Sequence, residues 1–316
     1  MAGFLLRRLG HAFLVMLVVC TVTFGIVHTA PGGPSLLADP KLSIAERAAI
    51  AERLGIDRPV PEQYVRWLVR VARGDLGHSF LYETSTVSTI MARLPATLLL
   101  AGTALLLTIV VAVPVAARCA DRPGGWLDRI ASAVALGAIS VPVFWLGILA
   151  ILAFAVHAGV LPAGGSATAG GDFSLLDRLR HLVLPAIVLA SAGTAELFRY
   201  TRESAAIQRT RPFVRTARAK GVPESAVRWR HAMRNAYIPV VTVIGLQLPR
   251  LVGGAAITET VFSWPGMGRL GIEAALARDY PLIMGITLLV SVGVLLASLL
   301  VDLAYVALDP RVRPDA

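Results

Sequence analysis

The sequence predicts an all-α membrane protein with six transmembrane helices, and three observations carry that prediction. Of 316 residues, 56% are hydrophobic and only 16% are charged, with a mean hydropathy of +0.69; a soluble domain of this length cannot bury so much apolar surface. The apolar residues gather into six runs, each near the roughly 20 helical residues that cross a hydrocarbon core about 30 Å thick. The charge is uneven: the formal net charge is +10, and residues 199–235 alone hold ten cations and two anions.

The first run, Leu9 to His28, follows Arg7 and Arg8 and looks at first like a secretory signal. It is longer than an ordinary signal core and no small-x-small site follows it, because His28 stands two before Ala30. It reads as an uncleaved first span with the amino terminus in the cytosol. The others are Pro95 to Ala117, Ile130 to Val156, Leu182 to Phe198, Ala236 to Thr258 and Pro281 to Leu308. The fourth is the shortest, carries Glu196 near its end, and is expected to continue as helix into the polar sequence RYTRESA.

Orientation follows from counting Lys and Arg, which favour short cytosolic segments. With the amino terminus inside, segments 1–8, 118–129, 199–235 and 309–316 hold 17 of them, against four in the short external loops 158–181 and 259–280. Residues 31–94 hold eight, but that loop is long enough to be largely exempt from the rule. Both termini are therefore expected in the cytosol. The division is 1–30, amino-terminal end and first span; 31–94, external loop; 95–308, a five-helix core including a cytosolic loop at 199–235; and 309–316, a cytosolic tail.

Within the external loop, Ile44, Ala48 and Leu54, then Tyr64, Trp67, Leu68 and Val71, recur at helical spacing, with Pro59 and Pro61 between the two pieces and GDLGHSF as a turn. They predict short amphipathic helices, either lying on the outer membrane face or forming a platform for an external partner.

Residues 199–235 must sit in water, since ten cations in hydrocarbon would cost roughly 25 kcal/mol. Pro212 suits the first turn of a short helix, Gly221 a left-handed stop, and Lys220 the negative end of the helix dipole. Pro223 and Glu224 open a second helix expected to run to Pro239. Arg211, Arg215 and Arg218 share one face of the first helix; on charge alone, anionic lipid would attract it.

Several chemistries find no support. There is no GxxxxGK[ST] phosphate loop, no HExxH, no Cys-x-x-Cys and no G-x-S-x-G, so neither a catalytic nor a metal site is expected. Cys20 and Cys119 offer no disulfide framework. A basic window framed by apolar runs does not suit nucleic acid. An ion-coupled carrier would place acids deep in its spans, whereas Glu196 and Asp302 lie near span ends and Arg250 is the one ionisable residue near a span centre.

The order RTARAKGVPESAVRWRHAMRNAYIPVVT resembles the cytosolic loop of B-type permeases in binding-protein-dependent ABC importers of the dipeptide, oligopeptide and nickel group. So do FLLRRLG, LGIDRPVPEQYVRW, RGDLGHSF, RLPATLLL, SVPVFWLGILAILAF, ETVFSWPGMGRLGIEAALARDYP and VDLAYVALDPRVRP, which together cover nearly the whole chain. The family's loop signature is Glu-Ala-Ala, three residues, then Gly. Here Arg215, Thr216 and Ala217 stand first, then Arg218, Ala219 and Lys220 before Gly221, so the leading acid is absent.

The resemblance implies a type I ABC importer permease, with residues Arg215, Thr216, Ala217, Arg218, Ala219, Lys220 and Gly221 as the coupling helix that docks on a cytosolic ATPase. It implies a bacterial inner-membrane location, a second, C-type permease, one or two ATPase subunits that carry ATP and Mg, and an external substrate-binding protein or lipoprotein. The chain itself would hold no cofactor and would not be an enzyme. Its cargo would be di- or oligopeptides, with nickel chelates or glutathione as alternatives. Ser191, Thr194, Gln247 and Arg250 are candidates for the translocation pathway, or equally for helix packing. Trp264, Pro265 and Gly266 are candidates for an external gate, or for an aromatic-anchored turn at the membrane interface.

Overall fold

The computed structural model describes residues 2–308 apart from 30–32, 35–36 and 38–41, with side chains further omitted at 2–5, 235, 238–239, 248–254 and 304–308. Among the described residues the chain is helical, with one isolated antiparallel bridge between His78 and Ser85. The helices are α1 (Ala2–Thr29), α2 (Ile44–Leu54), α3 (Val60–Ala72), α4 (Thr86–Cys119), α5 (Trp126–Ser140), α6 (Val143–Ala150), α7 (Leu175–Arg209), α8 (Pro212–Ala219), α9 (Glu224–Ala226), α10 (Met233–Val261), α11 (Met267–Leu276) and α12 (Tyr280–Leu308). Packing groups them into two units: Met1–Thr97 with Pro265–Leu295, and Leu98–Trp264 with Leu296–Ala316.

In the first unit, α2 begins with a capping box: Ser43 Oγ accepts from the Glu46 amide at 3.2 Å, and the Glu46 carboxylate accepts from the Ser43 amide at 2.8 Å. Pro59 and Pro61 both belong to the start of α3, where a missing amide hydrogen costs nothing. The aromatic side of α3 packs on other helices. Tyr64, Trp67 and Leu68 pack on Cys20 and Phe24 of α1 and on Met284 of α12, and Tyr64 Oη meets Thr21 Oγ1 at 2.5 Å.

The remainder of that unit is organised by Ile90, Met267, Leu270, Ala274 and Leu282, which join α4, α11 and α12. α4 starts nine residues before the expected Pro95, because hydropathy marks the apolar run and not the amphipathic turns that lead into it. A buried carboxylate, Asp279, fixes the adjoining loop, accepting from Ser79 Oγ at 2.5 Å, the Leu81 amide at 2.9 Å and the Leu282 amide at 3.1 Å.

The second unit is built on α7, which packs against α5, α6 and α10. Its core joins mostly small and aliphatic side chains of α4, α5, α7 and α10, among them Ala116, Ala135, Leu197 and Met233, with the aromatic Phe198. Small side chains let these helices approach closely in a membrane, where lipid tails compete with any larger apolar group. Leu106, Val110 and Val134 are exposed on the same helices, as expected of a lipid-facing surface.

The expected third span is not one helix. α5 and α6 meet at an angle of 106°, because Pro142 lacks the amide hydrogen an uninterrupted helix needs and forces Val141 into extended backbone at φ −91°, ψ 126°. After α6 the chain continues as a π-helical stretch, Ile151–His157. The helix opened at Glu224 does not stop at Pro239: it passes through a π-helical turn, Val227–Ala232, into α10, which ends at Val261.

Among the described residues four helices are long and apolar enough to cross a membrane, lying in α1, α4, α7 and α12, and the bent α5–α6 pair makes a fifth if counted as one span. The remaining expected span, 236–258, falls in α10, where side chains 238–239 and 248–254 lie outside the described residues. At 35 residues α7 is about 52 Å long, so it extends well beyond a hydrocarbon core of about 30 Å.

Candidate functional site

The 199–235 segment is a helical corner. α7 ends at Arg209, and Arg211 turns the chain in extended backbone before Pro212 opens α8 at its first position. α8 has two faces. Val214 and Ala217 point inward and are buried with Val227, against partly buried Val222. Arg215, Thr216, Arg218, Ala219 and Lys220 are exposed.

The stop is a left-handed cap: Gly221 has φ +73°, its amide donates to the Arg218 carbonyl at 2.9 Å, and the Val222 amide returns to the Ala217 carbonyl at 3.2 Å. Only the backbone requires glycine here, since a Cβ would meet nothing within 4 Å.

A chain of charges holds this corner. Arg209, the last residue of α7, reaches Asp121 in the turn between α4 and α5 at 2.5 Å and Glu224 of α9 at 3.1 Å. Arg228 pairs with the other Asp121 oxygen. Arg218 Nε donates to Glu224 at 2.6 Å, which brings α8 into the same network. Asp121 and Arg209 side chains are only 15% and 11% exposed, so water screens that pair little.

A second brace lies beside the first. Asp128, in the first turn of α5, makes a bidentate pair with Arg202 of α7, one arm at 2.5 Å, and accepts from the Gly124 amide at 2.8 Å. In the first network the Arg218 guanidinium holds the Glu224 carboxyl below its ordinary value against the opposing effect of desolvation, and Arg209 adds to the lowering.

The arrangement is a bracket. Salt bridges and the Val214–Val227 contact join α8 to α7, to the α4–α5 turn and to the helical run that leads into α10. Sequence reasoning picked out the cations of this segment but not their partners Asp121 and Asp128. The available signal was that these are the two acids of the otherwise basic segment 118–129.

The other expected residues are dispersed. Thr194 donates to Thr108 Oγ1 of α4 at 3.3 Å, and Ser191 donates to the Val188 carbonyl at 2.7 Å. Gln247 is buried and donates to the Gly193 carbonyl at 2.9 Å, locking α10 to α7. The Thr194 and Gln247 contacts join α7 to α4 and to α10, while that of Ser191 lies within α7. Arg250 lies in α10 with its side chain outside the described residues.

Trp264 is buried, not anchored at an interface, and its amide bonds the Glu259 carbonyl at 2.7 Å. The sharp reversal falls at Ser263, with φ +49°. Pro265 and Gly266 are not that turn: Gly266 is extended at φ −99°, ψ 178° and caps α11. The reversal is clasped from the 158–174 loop, where the Gly165 amide donates to the Phe262 carbonyl at 2.8 Å. A Cβ on Gly164 would stand 2.5 Å from that carbonyl oxygen.

Comparison with known families decides what the bracket belongs to. Residues 109–314 match the family described as "Binding-protein-dependent transport system inner membrane component", and residues 1–101 match its amino-terminal companion, "Binding-prot-dependent transport system membrane comp, N-term". The chain belongs to this family. Among similar proteins are the oligopeptide transport system permease protein AppB of Bacillus subtilis (strain 168), 38% identical over 99% of this chain and 100% of that one, and the dipeptide transport system permease protein DppB of Escherichia coli (strain K12), 37% identical over 99% of each. The glutathione transport system permease protein GsiC of Salmonella paratyphi A (strain ATCC 9150 / SARB42) is 35% identical over 99% of each chain.

As a B-type permease of the binding-protein-dependent family, the chain is a multi-pass membrane subunit of an ABC importer and not itself an enzyme, ATP hydrolysis residing in a separate subunit.

Proposed function

We propose that this permease forms half of the translocation pathway for di- and oligopeptides, with a C-type permease as the other half. In this reading the chain has six spans with both termini in the cytosol of a bacterium. α8, from Arg215 to Gly221, is the coupling helix seated on one of the ATPase subunits that carry ATP and Mg. An external binding protein or lipoprotein delivers the cargo. ATP-driven closure of the ATPases moves α8, and the bracket passes that motion to α7 and α10, switching the pathway between outward-open and inward-open states.

The observation that carries the proposal is the two-faced α8: its apolar side packs on Val227, in the helical run that leads into α10, and its cationic side is left exposed at the end of a braced helix. Peptides are the chemistry shared by the relatives' printed names, glutathione included. Ser191, Thr194, Gln247 and Arg250 remain proposed contributors to the pathway, and Trp264 to Gly266 to its outer gate, although Thr194 and Gln247 also hold helices together.

The test is uptake of a labelled dipeptide and a labelled longer peptide into proteoliposomes containing the complete transporter. Uptake should require ATP, the second permease and the binding protein. Accumulation by the purified chain alone, without nucleotide, would contradict the proposal.

A further inference from the structure

Within the first unit a cavity of about 500 Å³ opens among α1, α2, α3 and the start of α12. Its floor is aromatic. Phe24 and His28, from the last turns of α1, stack at 3.8 Å, and His28 lies 4.8 Å from Tyr280, in the first turn of α12. Trp67 of α3 closes the floor 6.2 Å from Phe24. Since α1 and α12 are both long and apolar enough to span a membrane, a cavity built from the end of one and the beginning of the other lies where spans leave hydrocarbon, among the headgroups.

The rim is cationic. Arg53, Arg58, Arg66 and Arg70 line it, together with one carboxylate, Glu52. Glu62 pairs with Arg58 at 2.7 Å and Arg66 at 2.9 Å. No partner is recorded for the guanidinium groups of Arg53 and Arg70 among the described residues. The indole N–H of Trp67, itself buried, has no acceptor among the described residues either.

We propose that this cavity binds the phosphodiester headgroup of an anionic phospholipid, with the apolar part of the lipid against the exposed Val65 and Val69 of α3, which line the cavity. Guanidinium groups match the tetrahedral oxyanion bidentately, and an aromatic floor suits the glycerol and upper acyl region. The headgroup depth favours a lipid over a water-soluble anion of the same chemistry. This inference is independent of which cargo the transporter carries.

The test is native mass spectrometry of the full-length chain in detergent, titrated with phosphatidylglycerol and, as control, phosphatidylcholine. The wild type should retain phosphatidylglycerol preferentially. Arg53→Gln/Arg70→Gln should weaken that retention about thirtyfold, two surface cations being removed, without changing phosphatidylcholine. Arg53→Lys/Arg70→Lys, which keeps the charge but loses the bidentate fork, should retain more phosphatidylglycerol than the Gln variant and less than the wild type, which separates loss of charge from misfolding. Equal phosphatidylglycerol retention by wild type and Gln variant would overturn the proposal. Displacement of phosphatidylglycerol by millimolar inorganic phosphate at matched ionic strength would overturn the lipid assignment in favour of a free oxyanion. A Gln variant that bound phosphatidylglycerol normally but lost the external binding protein would overturn it in favour of an acidic protein segment.

Discussion

Replacing Asp121 by Ala should uncouple ATP hydrolysis from uptake while leaving the helical bundle intact. The carboxylate is shared by Arg209 at 2.5 Å and by Arg228, whose side chains are 11% and 24% exposed. Breaking a fully buried pair by removing one partner costs about 3–5 kcal/mol; with this exposure, and with Glu224 still holding Arg209, about 2 kcal/mol is a reasonable discount. That loss falls on the connection between α8 and the α4–α5 turn, not on the core, to which Asp121 contributes no apolar surface.

If the bracket transmits the ATPase stroke, a deficit of about 2 kcal/mol in the coupled state lowers peptide taken up per ATP roughly tenfold or more. The assay is paired measurement of ATP hydrolysis and labelled-peptide uptake by the reconstituted complex. Asp121→Glu, which keeps the charge, should recover much of the ratio. An unchanged ratio in Asp121→Ala, with the complex assembled, would refute the reasoning.

Four further outcomes follow. Gly221→Ala places a side chain at φ +73°, which costs about 1–2 kcal/mol, and should lower the thermal stability of the purified chain by a comparable amount with little effect on subunit assembly. Val214→Asp puts a charge in the fully buried contact with Val227 and should release α8, detected as new proteolysis between residues 209 and 223. Because Arg218 and Arg209 hold the Glu224 carboxyl below its ordinary value of 4.5, its contribution is complete above that value and disappears as pH falls through the lowered one. The hydrolysis-to-uptake ratio should therefore be flat from neutral pH to about 4.5, and Glu224→Gln should show the acid-side defect at every pH. Asp279→Ala strands Ser79 Oγ and the Leu81 amide in a buried site, a loss of about 1–3 kcal/mol per donor, and should increase amide exchange in residues 79–82.

The four long apolar helices were legible because hydropathy is a sum over many residues, and the corner at Pro212–Gly221 because proline and glycine act locally through fixed φ. The 106° break between α5 and α6 was present as Pro142 but was passed over inside an otherwise apolar run. What could not be read were contacts between residues far apart in sequence. Asp121 with Arg209 and Arg228, Asp128 with Arg202, and Asp279 with Ser79 each need the fold to bring them together. Trp264 shows the converse: its composition suits a membrane interface, and packing buries it.

The central claim is that α8 is the contact through which a separate ATPase moves this permease. It is tested most directly by cysteine crosslinking in the assembled transporter, with single cysteines at the exposed Thr216 and Ala219 in a background where Cys20 and Cys119 are replaced. The account predicts covalent products between these positions and the ATPase subunit, with yields that change on adding ATP. Assembled, transport-competent complexes in which neither position crosslinks to the ATPase in any nucleotide state would contradict it.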